Sequence, residues 1–249
     1  MIKYICGILL FLAACATIKA PDSFVYEEIP TTTFKIAAWH KLSNQNAPIK
    51  VYIEGDGAAF RANGNVSSNP TPRSTLVREL AFGDLHENII YLARPCQFVQ
   101  DNMCAPQYWS TARFAPEIIQ AEYEALQKLV GKRPLILVGF SGGAQVAGLL
   151  AVKYSDLYVK KLVTIAGNLD HQTWTSYHNL PPLILSENLA QYKTQYAKFL
   201  QVHYIGQNDD NILPFITENF VADKSSIIYV NEASHNRGWQ KTFPQIQKE

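Results

Sequence analysis

The apolar run Pro134-Leu-Ile-Leu-Val138 leads into Gly139-Phe140-Ser141-Gly142-Gly143, and a helix-forming stretch follows. A serine at such a strand-to-helix turn has the makings of a nucleophile. The sharp turn presents its hydroxyl, and the flanking glycines let neighbouring backbone approach without a Cβ clash. Amides at the start of the following helix favour developing negative charge. The hydroxyl still needs a base, the base needs a carboxylate to orient it, and candidates for both lie further along the chain. Of six histidines, His235 is set apart because Ala233-Ser234-His235 follows the last strand-like run, Ser226–Val230. Asp209 is the preferred acid: it lies three residues beyond Gly206, where the preceding strand-like run ends. Its neighbour Asp210 is the second choice, and Asp170, after an earlier strand, is an alternative position.

An oxyanion formed at Ser141 needs two amide donors. One is expected from Gly142, the residue after the serine, and one from Asp56, in the glycine-flanked turn Glu54-Gly55-Asp56-Gly57. The Asp56 side chain would oppose an oxyanion unless paired elsewhere, for which Arg94 and Arg61 are candidates. The competing reading is that Gly-Asp-Gly is only a good turn.

These residues must be positioned by regular elements. Strand-like runs are Phe34–Trp39, Ile49–Glu54, Asn88–Ala93, Pro134–Gly139, Lys161–Ala166, Phe199–Ile205 and Ser226–Val230. Several are almost continuously apolar, as in parallel strands covered on both faces. Between them, Ile119, Tyr123, Leu126 and Val130 recur at helical spacing, so a helix is predicted over Pro116–Val130. A second begins after Ser141. The alternation predicts an α/β sandwich, mostly parallel and doubly wound, with residues 167–198 as at most a small cap.

With 47% hydrophobic and 17% charged residues, the 249-residue chain can bury an ordinary globular core. A formal charge of +1, with no dense basic run, argues against nucleic acid as the main partner and against a polybasic membrane patch. Lys3 followed by the apolar stretch Tyr4–Ala14 reads as an export signal. The stretch is too short to span a bilayer, which takes roughly twenty residues. Leu12-Ala13-Ala14-Cys15 resembles the bacterial lipobox, which implies a lipidated Cys15 at the mature N-terminus. By analogy with lipoprotein sorting, Ala16 favours the outer membrane, facing the periplasm or exterior. Expected divisions are a signal peptide at 1–14, a lipidated N-terminus and tether at 15–33, and one catalytic domain at 34–249. Cys96 and Cys104 would then reach an oxidising compartment, as a disulfide or as two separate buried thiols. Without nearby histidines they make a poor zinc site.

The order Glu54-Gly-Asp-Gly57, Ala93-Arg-Pro-Cys96, Gly139-Phe-Ser-Gly-Gly143, Ala166-Gly-Asn-Leu-Asp170, His235 and Gly238-Trp239 resembles a group of small bacterial α/β-hydrolase-fold lipoproteins. The resemblance spans about residues 49–239. It implies the α/β-hydrolase fold, a serine–acid–histidine triad carried over to Ser141 and His235, and paired cysteines carried over to Cys96 and Cys104. The acid carries over less cleanly, because Pro214 stands five residues past Asp209 and four past Asp210. The chemistry expected is hydrolysis of a small-molecule or lipid ester through an acyl-enzyme, with no metal or organic cofactor. The competing expectation is a scaffold of the same fold that only binds a ligand at the envelope.

Overall fold

The computed structural model describes residues 19–249. The segment expected as a signal peptide, 1–14, and Cys15 lie outside them. Eight strands form one sheet in the order β1-β2-β4-β3-β5-β6-β7-β8. They are β1 (Val25–Pro30), β2 (Lys35–Leu42), β3 (Ile49–Ile53), β4 (Asn88–Leu92), β5 (Leu135–Phe140), β6 (Val159–Ile165), β7 (Leu200–Gly206) and β8 (Ile227–Val230). From β4 to β8 every neighbouring pair is parallel; β1 and β2 extend the sheet antiparallel. The helices are α1 (Leu76–Phe82), α2 (Pro116–Val130), α3 (Gly142–Lys153), α4 (His171–Tyr177), α5 (Lys193–Tyr196), α6 (Pro214–Phe220) and α7 (Phe243–Ile246).

The two faces of the sheet are read directly from strand alternation. In β3, Ile49, Val51 and Ile53 pack into a core with Ile118, Ile119 and Leu126 of α2 and Val146, Leu149 and Leu150 of α3. Tyr52, between them, enters the opposite core with Leu76 and Leu80 of α1, Ile246 of α7 and Trp239. All five residues of β3 and of β4 are buried, so neither strand presents a side to solvent. Helix α2 spans the range expected from its periodicity, with Pro116 in its first turn.

One expectation needs correcting. Residues 15–33 read as a tether, yet Val25–Pro30 is the edge strand β1, paired with β2 from Val25↔His40 to Pro30↔Lys35. Only Ile29 of β1 is buried, so the strand carries almost no hydrophobic pattern. Pro30 sits at its end, where a missing N–H costs little. Thr31 and Thr32, within the stretch read as a tether, make the turn into β2. Thr31 Oγ1 donates to Phe34 O at 2.7 Å, and Thr32 donates through its amide and hydroxyl to Glu124 of α2 at 2.6 and 2.9 Å.

Sheet topology fixes where a site can form. After β3 the chain crosses outward to β4, then returns to place β5 on the other side of β3. The connections therefore diverge above β3 and β5 and leave a crevice at their carboxyl ends. The turn at 54–57 follows β3 and Ser141 follows β5 at this crevice, while the loops holding Asp209 and His235 follow β7 and β8.

Candidate active site

Ser141 occupies the sharp turn between β5 and α3 with φ 52° and ψ −120°. A left-handed backbone at a serine costs about 1–3 kcal/mol and persists only where surroundings enforce it. Here its amide donates to Ile165 O at 3.0 Å, and its carbonyl accepts the Ala144 and Asn168 amides at 3.1 and 3.0 Å. The glycines around it answer to close approach. A Cβ on Gly139 would stand 2.5 Å from Gly143 O, and one on Gly143 would stand 2.4 Å from Ile53 O.

Three of the side chains singled out from the sequence come together. His235 Nε2 lies 3.0 Å from Ser141 Oγ, and His235 Nδ1 lies 2.9 Å from Asp209 Oδ2. A carboxylate only accepts, so Nδ1 carries the proton, leaving Nε2 to accept from the serine hydroxyl. The histidine loop is anchored by the fully buried Trp239, whose indole N–H donates to Ser234 O at 2.8 Å and His235 O at 3.2 Å. The Phe140 ring lies 5.2 Å from the imidazole.

The other two acids stand apart from the imidazole. Asp210 is exposed to solvent. Asp170 caps α4, accepting the Gln172 and Thr173 amides at 3.1 and 3.2 Å and the Asn188 side-chain amide at 2.7 Å. Burial opposes ionisation of Asp170, but these hydrogen bonds outweigh it and hold its carboxyl below the usual range.

Of the two amides expected to serve an oxyanion, neither that of Asp56 nor that of Gly142 donates to another backbone group among the described residues. The Asp56 carboxylate leans over α3, its Oδ1 only 2.2 Å from where a Cβ on Gly142 would sit. Its charge is met by Arg113 Nη1 at 2.7 Å and Arg94 Nη1 at 3.4 Å. Arg94 is therefore a partner as the sequence suggested. Arg61 forms no ion pair with Asp56, and Arg113, which no motif marked, takes that place. Arg94 also reaches Glu122 of α2 at 3.2 Å, deep in the core. Burial pushes Glu122 up to about 8 against the pull of Arg94. Glu54, beneath the same turn, accepts the Tyr91 hydroxyl at 2.6 Å and the Gly55 amide at 3.0 Å, yet burial pushes it up to about 7.

Cys96 and Cys104 are joined in a disulfide. The loop it closes carries Gln97, which is buried; its Oε1 accepts the Arg94 amide at 3.1 Å and its Nε2 donates to Gly55 O at 2.9 Å. Nothing in the sequence marks a role for Gln97, because Gly55 is brought to it only by the β3–β4 pairing.

Ser141 and His235 open into a cleft of about 800 Å³. One wall comes from the turn containing Phe60 and Val66, another from Trp174, Leu180 and Leu183 of the 167–198 segment expected as a cap. Among the described residues there is no cluster of three or more metal-ligating side chains, and no helix is long and apolar enough to cross a membrane.

No protein-family model matches the sequence, and no curated protein does. Solved structures do. An esterase from Pyrococcus furiosus is 15% identical with a TM-score of 0.58, covering 91% of this chain and 88% of its own. Est1E from Butyrivibrio proteoclasticus is 9% identical with a TM-score of 0.59, covering 91% of this chain and 95% of its own. A serine hydrolase from Cycloclasticus zankles, a bacterium that degrades polyaromatic hydrocarbons, is 13% identical with a TM-score of 0.57, covering 90% and 95%. At such identities the likeness concerns the fold. The chain has the α/β-hydrolase fold, with its eight-stranded, mostly parallel sheet.

Proposed function

We propose that the protein is a serine hydrolase that cleaves a carboxylic ester through an acyl-enzyme on Ser141. The observation that carries this reading is the relay of hydrogen bonds, Ser141 Oγ to His235 Nε2 at 3.0 Å and His235 Nδ1 to Asp209 at 2.9 Å. Similarity in fold to an esterase and a serine hydrolase supports it.

In the proposed cycle Ser141 Oγ attacks the ester carbonyl as His235 Nε2 takes its proton, and Asp209 stabilises the imidazolium. The carbonyl oxygen becomes an oxyanion that receives the Gly142 and Asp56 amides. Collapse expels the alcohol, which takes the proton from Nε2 and leaves the acyl group on Ser141. Water then attacks the acyl-enzyme, giving its proton to Nε2, and the carboxylic acid departs as Ser141 regains its hydrogen. We further propose that the chain is exported and held at the bacterial envelope by lipid on Cys15, which lies outside the described residues.

The test is hydrolysis of p-nitrophenyl acetate and butyrate by the purified domain. The wild type is expected to turn both over, and Ser141→Ala to lose at least about four orders of magnitude in kcat. Undiminished turnover in Ser141→Ala would refute the nucleophile. A correctly folded wild type that cleaves neither ester would favour a binding scaffold.

A further inference from the structure

Large apolar side chains on two walls of the cleft meet solvent. Phe60 and Val66 face each other across an isolated antiparallel bridge and line the cleft, yet remain 45% and 37% exposed. On the cap side Leu180, 44% exposed, lines it together with the buried Leu183. Large apolar side chains left open on both sides of a concave site are places where a ligand gains by removing them from water.

The polar groups of the cleft narrow the choice of ligand. Arg113 looks at first like an anion hook, because its guanidinium lies over the Phe60 ring at 5.5 Å and over the Trp174 ring at 5.6 Å. Its charge is already taken by Asp56 at 2.7 Å, and its Nε donates to Ser110 O at 2.7 Å. Arg113 thus works as a neutralised strut between the two walls. Arg94 does not line the cleft; it is buried beneath it, against Asp56 and the Arg113 carbonyl. Arg73 also lines the cleft, but is exposed to solvent. A charged acyl group would therefore meet no desolvated, unpaired cation here.

We infer that the cleft is an acyl site, and that the ester cleaved at Ser141 carries an uncharged acyl chain of medium length held between Phe60 and Leu180. This rests on the hydrolytic reading of Ser141 and names the substrate class for it. A volume of about 800 Å³ leaves room for such a chain beside the reacting ester. Each methylene drawn out of water is worth up to about fourfold in kcat/KM while the chain still lies against the walls.

The chain could come from a dispersed ester or from a lipid surface, and the cap makes the second source testable. Tyr177, Ile184 and Leu185, on the same segment as Leu180, are 53%, 78% and 52% exposed.

The experiment is a p-nitrophenyl ester series from acetate to dodecanoate, with a succinyl half-ester as the anionic comparison. Wild type is expected to gain about twofold to fourfold in kcat/KM per added methylene up to about octanoate, and to handle the succinyl ester worse than butyrate. Phe60→Ser and Leu180→Ser should each lower the octanoate-to-acetate ratio by about fivefold or more; both side chains are half exposed, so the fold should tolerate the changes. The same octanoate ester, free or in neutral detergent micelles, separates the sources. A lipid-surface source makes Ile184→Ser with Leu185→Ser lower the micellar-to-dispersed rate ratio; an unchanged ratio assigns the chain to dispersed ester. A wild type that cleaves acetate but gains nothing with chain length, or prefers the succinyl ester, would overturn the acyl-site inference while leaving the nucleophile intact. A folded wild type that cleaves no ester would defeat the hydrolytic reading beneath it.

Discussion

Asp209 divides its carboxylate between two tasks: Oδ2 lies 2.9 Å from His235 Nδ1, while Oδ1 accepts the Asn211 and Ile212 amides at 2.9 and 2.8 Å. The two backbone donors fix the plane of the carboxylate, so its other oxygen points at the imidazole without further choice. Asp209→Asn is expected to keep the fold, because an amide oxygen can still accept from the backbone. Its NH₂ toward Nδ1 selects the wrong imidazole tautomer, and kcat should fall by about four orders of magnitude. Asp210→Asn, at an exposed side chain, should change kcat by less than about threefold. Steady-state kinetics on p-nitrophenyl butyrate, with melting curves for both variants, distinguishes them. The opposite ranking would move the acid to Asp210.

The parts of this arrangement that lie in local sequence were legible there. Pro134–Gly143 announces a strand, a turn and a helix, and Ser141 occupies that turn. His235 and Asp209 stand out because each follows an apolar run that becomes a strand, β8 and β7. Choosing between Asp209 and Asp210 depends on loop conformation, which adjacent identical side chains do not encode. The cationic partners were harder still. Arg113 reaches Asp56 across 57 residues of sequence, and no spacing rule links them. β1 was missed because an edge strand with one buried side chain has no alternation to detect.

Glu54 gives the fold a pH dependence of known sign. Burial raises its carboxyl from 4.5 to about 7. Between these values the unfolded chain has released the proton and the folded protein has kept it, so stability falls as pH rises and levels off above about 7. Glu54→Gln removes that proton from the balance. Its unfolding free energy should therefore decline less than that of the wild type between pH 5 and 7, by about 1–3 kcal/mol, as denaturant melts at the two pH values would read. Parallel curves for the two proteins would show that Glu54 is already ionised in the folded state.

Gln97 ties the disulfide loop to the turn that bears Asp56, through Gly55 O at 2.9 Å. In Gln97→Glu a carboxylate oxygen would face that carbonyl, and the turn should shift. Because the Asp56 amide is proposed to serve the oxyanion, kcat should fall about tenfold to a hundredfold with KM nearly unchanged. Affinity for a trifluoromethyl ketone, which becomes tetrahedral on the serine, should fall in proportion. Replacing Cys96 and Cys104 together by serine should cost about 2–3 kcal/mol in unfolding free energy, the chain-entropy value for a loop this short. Full kcat in Gln97→Glu would remove it as a positioning residue.

Everything proposed for the site depends on Ser141 being the nucleophile, and covalent trapping tests that most directly. A fluorophosphonate should add once to the purified wild-type protein, and peptide mapping should find the adduct on Ser141. Ser141→Ala, with unchanged melting, should take up none. An adduct on another residue, labelling that persists in Ser141→Ala, or a folded wild type that stays unlabelled would contradict the assignment of Ser141 and the acyl-enzyme chemistry built on it.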